Sequence, residues 1–151
     1  MRFLLLTVFS AIGFLSAQAW QLEGSVWGGA DEYDNTHYYL KITSVTPKQA
    51  GFFDIEGIYK SGFDDAGECK DDSFAFTGTY YEPEATITFT VDWYNVHNPG
   101  CRTVSAYAGV IYSSVDMKMH NLFRYPNQGG NNIESWIINW ERQINGEASD
   151  E

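Results

Sequence analysis

Basic residues are scarce in this sequence, in which nine Lys and Arg stand against twenty Asp and Glu for a formal net charge of -11. A protein of that charge is repelled by a phosphate backbone and gains nothing from the counterion release that drives nucleic-acid binding. Nucleic acid is therefore excluded as an expected partner.

Known catalytic motifs are also missing. The chain has no Gly-x-Ser-x-Gly, no phosphate-binding glycine loop, no Cys-x-x-Cys and no His-Glu-x-x-His. The three histidines, His37, His97 and His120, lack the spacing of zinc ligands, and the acidic segments at 31–35 and 64–72 lack the pattern of an EF-hand. We expect no enzymatic activity, no metal site and no cofactor.

Long apolar runs are limited to the N-terminus. Arg2 precedes an apolar stretch from Phe3 to Leu15, and Ala17-Gln18-Ala19 fits the small-x-small rule for signal cleavage. The stretch is shorter than the roughly twenty residues that span a bilayer. Residues 1–19 are therefore predicted to be a signal peptide, and the mature protein is expected to be secreted and extracellular, with no membrane anchor.

Cysteine is nearly absent, since Cys69 and Cys101 are the only two in the chain. In the oxidising compartment that an exported protein enters, their simplest state is one disulfide bond. In the chain-entropy account, a loop of about thirty residues closed in this way stabilises the fold by about 3 to 4 kcal/mol. No Asn-x-Ser/Thr acceptor occurs, so no N-linked glycan is expected.

The mature chain is rich in short β-type runs instead of helical periodicity. These runs contain Val, Ile, Thr, Tyr and Phe and are separated by Gly, Asn, Asp and Pro. Eight are found: Leu22–Gly28, His37–Val45, Phe52–Tyr59, Ser73–Tyr80, Ala85–Tyr94, Arg102–Tyr112, Asp116–Tyr125 and Glu134–Arg142. They predict an all-β domain over 20–145, an eight-stranded antiparallel up-and-down barrel with a sandwich as the alternative, followed by an acidic, disordered tail at 146–151.

Alternation predicts which faces of the strands are buried. One face of the fifth run carries Ile87, Phe89, Val91 and Trp93, as expected of a half-buried strand. In the sixth run, Thr103, Ser105 and Tyr107 share a mostly hydroxylic face. That face lines a polar cavity or faces solvent, and alternation alone leaves both open.

Five short motifs in order along Leu22–Arg142 resemble the avidin and streptavidin family of exported biotin-binding barrels. They are Leu22-x-Gly24-x-x-Trp27, Ile55-x-Gly57-x-Tyr59-x-Ser61, Phe89-Thr90-Val91-Asp92-Trp93, Thr103-x-Ser105-x-Tyr107-x-Gly109 and Glu134-Ser135-Trp136. The resemblance implies a non-catalytic barrel that binds biotin as a ligand.

The same resemblance implies a set of ligand-binding residues, each with a role. Tyr59 and Ser61 would bond the ureido group, Trp93 would pack beside the bicyclic ring, Ser105 would face the sulfur, Tyr107 would form an aromatic wall, Thr103 would approach the carboxylate, and Trp136 would close a partner subunit's site.

The chain departs from the family at two site positions. Gly29 stands where the family has Asn, and Asn121 stands where it has Trp. Each change removes a ligand contact worth about 1 to 3 kcal/mol, so we expect affinity below that of the tight binders. A lipocalin-type carrier of an apolar ligand and a secreted interaction protein that has lost biotin binding remain as alternatives.

Assembly is the last expectation from the sequence. The runs Arg102–Tyr112 and Glu134–Arg142 carry large apolar residues on both alternating faces. One of those faces must lie on the outside of a barrel, where a second subunit would cover it. A homodimer or homotetramer is therefore expected.

Overall fold

The computed structural model describes residues 22–31, 37–61, 73–93, 104–123 and 133–143. They form eight antiparallel strands, each hydrogen-bonded to its sequence neighbours, and the last pairs with the first to close a barrel. The strands are β1 (Val26–Asp31), β2 (His37–Gln49), β3 (Phe52–Ser61), β4 (Phe74–Tyr81), β5 (Thr86–Asp92), β6 (Val104–Ile111), β7 (Asp116–Phe123) and β8 (Glu134–Arg142). The predicted all-β barrel is confirmed, and closure removes the unpaired edges that a sandwich would leave.

Most strand bounds lie within two residues of the predicted runs, but β2 extends to Gln49, four residues beyond the predicted end at Val45, and the first strand is displaced. The run Leu22–Gly28 does not form the first strand, which begins at Val26. Leu22 and Ser25 instead close a turn in which the Ser25 amide donates to the Leu22 carbonyl at 2.9 Å, and Gly24 has a φ of +76°. Because φ in that range strains residues with a Cβ, the Glu-Gly-Ser sequence favours the turn over a strand.

The two ends of the barrel differ in their connections. Short connections at 50–51, 82–85 and 112–115 join the strands at one end, which we call the short-loop end. The connections 32–36, 62–73, 93–103 and 124–133 all leave the opposite end, which we call the long-loop end. Long connections over one mouth of a rigid barrel are a common location for a binding site.

The interior is filled by side chains at alternate positions of every strand. The largest fully buried ones are aromatic and include Trp27, Tyr59, Tyr80, Trp93, Tyr107 and Trp140. The fifth strand behaves as its alternation predicts, since Ile87, Phe89, Val91 and Trp93 are all buried. No helix among the described residues is long and apolar enough to cross a membrane.

Candidate functional site

Two tyrosines meet inside the long-loop half of the barrel. Tyr59 lies on β3 at the inward positions that it shares with Ile55 and Gly57, and its side chain is 0% exposed. Tyr107 lies on β6 and donates a hydrogen bond from its hydroxyl to that of Tyr59 at 2.5 Å. The solvent-facing interpretation of the hydroxylic face is therefore wrong for Tyr107 and for Ser105, which are both buried.

Trp93 and Ser105 form a second polar pair beside the tyrosines. The indole Nε1 of Trp93 donates to the Ser105 hydroxyl at 2.8 Å. The Trp93 ring meets Tyr59 edge-on at 5.3 Å between centroids and lies 4.8 Å from Phe74. We give the name hydroxyl–indole cluster to Tyr59, Trp93, Ser105 and Tyr107. They come together from β3, from the residue that follows β5, and from β6.

The other three predicted site residues, Ser61, Thr103 and Trp136, are not assigned to the cluster. Ser61 ends β3 in register with Tyr38 of β2, and Thr103 lies outside the described residues. Trp136 is half-buried on β8 opposite Asn121, where it packs against the core of its own barrel. Its implied role at a partner's site stays a prediction, and so does the pairing of Cys69 with Cys101, which also lie outside the described residues.

Two further aromatic residues, Tyr38 and Trp140, border the cluster. Neither was predicted from the sequence to belong to the site. The Tyr38 ring lies 6.2 Å from that of Tyr59, and the Trp140 ring lies 6.3 Å from Tyr59 and 6.1 Å from Tyr38. Alternation was an available signal for both, because Tyr38 shares a face with Leu40 and Trp140 shares one with Ile138, and all four are buried.

Gly29 makes room for Trp140. The two residues pair across β1 and β8, and a Cβ added at Gly29 would lie 2.7 Å from atoms of the Trp140 ring. The resemblance leads one to expect an asparagine side chain at residue 29, but the Trp140 indole occupies that space. The side wall of the cluster is consequently more aromatic and less polar than the resemblance implies.

Asn121 introduces an uncompensated polar group on β7, the strand next to β8. Its side chain is 0% exposed, and neither its Oδ1 nor its Nδ2 has a hydrogen-bond partner among the described residues. The indole Nε1 of Trp140 is buried and unpartnered as well. Buried polar groups are usually paired because burial without a partner costs free energy, so these unpaired atoms destabilise the folded barrel.

The interior offers hydrogen bonds without charge. Among the described residues, the buried polar side chains are Ser25, Ser105 and Asn121, and none is ionised. The described residues also hold no group of three His, Cys, Asp or Glu placed to bind a metal. The interior therefore presents neutral hydrogen-bonding groups, and a charged group there would lack a buried counter-charge.

A cavity of about 110 Å³ lies at the short-loop end, remote from the cluster. Its lining includes Trp27, Tyr80, Ile111 and Arg142. Burial and, to a lesser degree, the negative charge of Glu82 raise the pKa of Tyr80 above its ordinary value. This volume is below the roughly 300 to 1,000 Å³ that is usual for ligand pockets.

Comparison with known proteins finds similarity of fold but no match to a family profile or to a curated sequence. Solved structures resemble the chain in fold, and three of them illustrate the likeness. Shwanavidin in complex with biotin has a TM-score of 0.63 at 15% identity, covering 80% of this chain and 96% of its own.

The second and third structures agree with the first. The rhizavidin–biotin complex has a TM-score of 0.60 at 16% identity, covering 84% of this chain and 97% of its own. The apo form of intact afifavidin has a TM-score of 0.59 at 18% identity, covering 90% and 92%. The chain therefore has the avidin-like barrel fold that its sequence resemblance predicts.

Proposed function

We propose that this chain, which has an avidin-like fold, is a secreted and non-catalytic binding protein that takes up biotin, or a ligand with a biotin-like head group, at its long-loop end. The observation that carries the proposal is the hydroxyl–indole cluster, in which Tyr59, Trp93, Ser105 and Tyr107 converge inside the barrel. Neutral hydroxyls surrounded by aromatic rings suit a flat ring with polar edges. The predicted signal peptide at 1–19 supports secretion.

Ligand entry requires the cluster to open. Tyr59 and Ser105 are 0% exposed in the described state, and the two tyrosine hydroxyls bond each other. The Tyr59 hydroxyl accepts from Tyr107, so a ligand oxygen, which would accept a hydrogen bond from Tyr59, does not replace the Tyr107 donor. Room for the ligand therefore comes from movement of the buried side chains, and the free energy of that movement lowers the affinity.

A second candidate function is a secreted interaction protein that has lost biotin binding. Trp140 favours it, because its indole fills the space beside Gly29. The fold comparison, in contrast, favours an avidin-like barrel over the lipocalin-type carrier considered from the sequence. The two remaining candidates differ in a single measurable property, which is whether biotin stabilises the folded protein.

Thermal unfolding with and without biotin tests the proposal. A ligand that binds only the folded state adds RT ln(1 + [L]/Kd) to the free energy of unfolding, so the melting temperature should rise with biotin concentration. Bound biotin should also quench the fluorescence of Trp93. Tyr59→Phe should reduce the biotin-dependent shift, since the loss of a hydrogen bond to a buried ligand costs about 1 to 3 kcal/mol.

Tyr80→Phe provides the matched control. It also removes the hydroxyl of a buried tyrosine, but at the short-loop end. The proposal requires that Tyr80→Phe keep the full biotin-dependent shift while Tyr59→Phe loses most of it. If millimolar biotin does not raise the melting temperature of the unmodified protein, biotin binding is contradicted and the secreted interaction protein becomes the favoured function.

A further inference from the structure

Asn121 lies in the interior wall with both polar atoms unpaired. Its cross-strand neighbours are Tyr107 on β6 and Trp136 on β8. Neither supplies a hydrogen bond to its carboxamide, and the hydroxyl of Tyr107 is directed to Tyr59. With a side chain that is 0% exposed, Asn121 is not solvated from outside either.

The position of Asn121 is set by the strand pattern. Met117 and Met119 precede it on the same inward face of β7, and both are buried. A third apolar residue would continue that face without loss, and a buried unpaired amide destabilises the barrel instead. The presence of Asn121 beside the hydroxyl–indole cluster is explained if a bound molecule supplies hydrogen-bond partners for its carboxamide.

We infer that Asn121 contacts the ligand directly and that the ligand head group carries a neutral amide-type edge, a carbonyl oxygen beside an N–H, which pairs with the Asn121 carboxamide. This deepens the proposed function and rests on it for the location of the site. A carboxamide offers a donor and an acceptor side by side, so its best complement is the same pair in reverse order.

Two other observations narrow the ligand class. The buried Nε1 of Trp140, whose ring lies 6.3 Å from that of Tyr59, also lacks a partner among the described residues and can only donate, so an acceptor atom on the ligand would satisfy it. None of the described buried side chains is charged, so an ionised head group would be left without a counter-charge. Lactams, cyclic ureas and related neutral rings meet all of these requirements.

The test uses small probes and the side-chain amide signals of the full mature protein in a ¹⁵N-correlated NMR spectrum. The probes are biotin, 2-pyrrolidinone and cyclopentanone, the last of which keeps the ring and the carbonyl of the lactam but lacks the N–H. We expect the Asn121 NH₂ signals to move with biotin and with 2-pyrrolidinone, and to move far less with cyclopentanone. If 2-pyrrolidinone does not shift the Asn121 NH₂ signals, the inference is overturned. This measurement uses the unmodified protein and needs no variant.

Asn121→Leu removes the polar atoms at similar size, and Met119→Leu is the control on the same face of β7. We expect Asn121→Leu to weaken biotin and 2-pyrrolidinone at least tenfold, and Met119→Leu to change either by less than twofold. Equal binding by wild type and Asn121→Leu would show that only water pairs with Asn121, and would overturn the inference.

The combined outcomes separate this inference from the proposed function. Biotin binding with unmoved Asn121 signals leaves the proposed function intact and overturns the role of Asn121. Binding of 2-pyrrolidinone through Asn121 without any binding of biotin supports the amide-type class and overturns biotin as the ligand. Failure of both probes overturns both.

Discussion

Gly29 and Trp140 are complementary across the seam that closes the barrel, because the indole ring occupies the volume that a side chain at Gly29 would need. An ideal Cβ at Gly29 lies 2.7 Å from the Trp140 ring and 2.9 Å from Ile138. The departure from the family at residue 29 and the aromatic residue at 140 are thus one structural feature.

Gly29→Ala should lower the free energy of unfolding by about 1 to 3 kcal/mol, the usual range for an overpacked core. Urea unfolding measures it. Gly28→Ala is the matched control, since the three atoms nearest to its added Cβ all belong to the flexible Gln143 side chain, which can move aside. Equal stability of the two variants would show that Trp140 does not restrict this position.

The barrel itself was predictable because strand patterns are local. The alternation of Ile87, Phe89, Val91 and Trp93 sets their burial, and the run Glu134–Arg142 matches β8 at both ends. The first strand was misplaced because Leu22 and Ser25 close a turn through backbone hydrogen bonds, which an apolar pattern does not reveal.

The site was predictable only in part. The family motifs pointed to Tyr59 and Tyr107, but their hydroxyl contact depends on the register of the four strands from β3 to β6, which no local pattern determines. Alternation places Asn121 inside the barrel. That its amide has no partner is a property of the packed interior and could not be inferred from the sequence.

Cys69 and Cys101 should form one disulfide in the secreted protein. Their connections leave the barrel beside each other, since Phe74 at the start of β4 and Trp93 after β5 lie 4.8 Å apart between ring centroids. The intact mass should be two daltons below that of the reduced chain. Loss of the bond in a Cys69→Ser/Cys101→Ser variant should cost about 3 to 4 kcal/mol. Two free thiols on the native protein would contradict this pairing.

The outer face of β6, β7 and β8 should form a subunit interface. Leu122 is 47% exposed there, and Ala106 and Ile137 lie near it on the neighbouring strands. Light scattering at micromolar concentration should give the mass of a dimer or tetramer, and Leu122→Lys should reduce it. Ile58→Lys, on the outer face of β3, is the control and should leave the mass unchanged. A monomer mass for the unmodified protein would remove Trp136 from any partner's site.

Tyr80 should make the barrel sensitive to alkaline pH. Its pKa is raised in the folded state, chiefly by burial, so the folded protein holds this proton more tightly than the unfolded chain does. The resulting stability is fully present below about pH 10, the ordinary pKa of tyrosine, and is lost as the pH rises through the folded-state pKa. Urea midpoints between pH 8 and pH 11.5 should fall less steeply for Tyr80→Phe than for the unmodified protein. Parallel curves would contradict this assignment.

A calorimetric titration with biotin tests the central claim most directly, and the chain offers a matched pair of variants for it. The indoles of Trp93 and Trp27 each donate to a serine hydroxyl, at 2.8 Å to Ser105 and at 2.9 Å to Ser25, but only Trp93 belongs to the hydroxyl–indole cluster. We predict saturable heat with one site per chain, an affinity at least tenfold weaker in Trp93→Phe, which corresponds to about 1.4 kcal/mol, and an unchanged affinity in Trp27→Phe. No heat at millimolar biotin, or equal loss in both variants, would contradict a biotin site at the long-loop end.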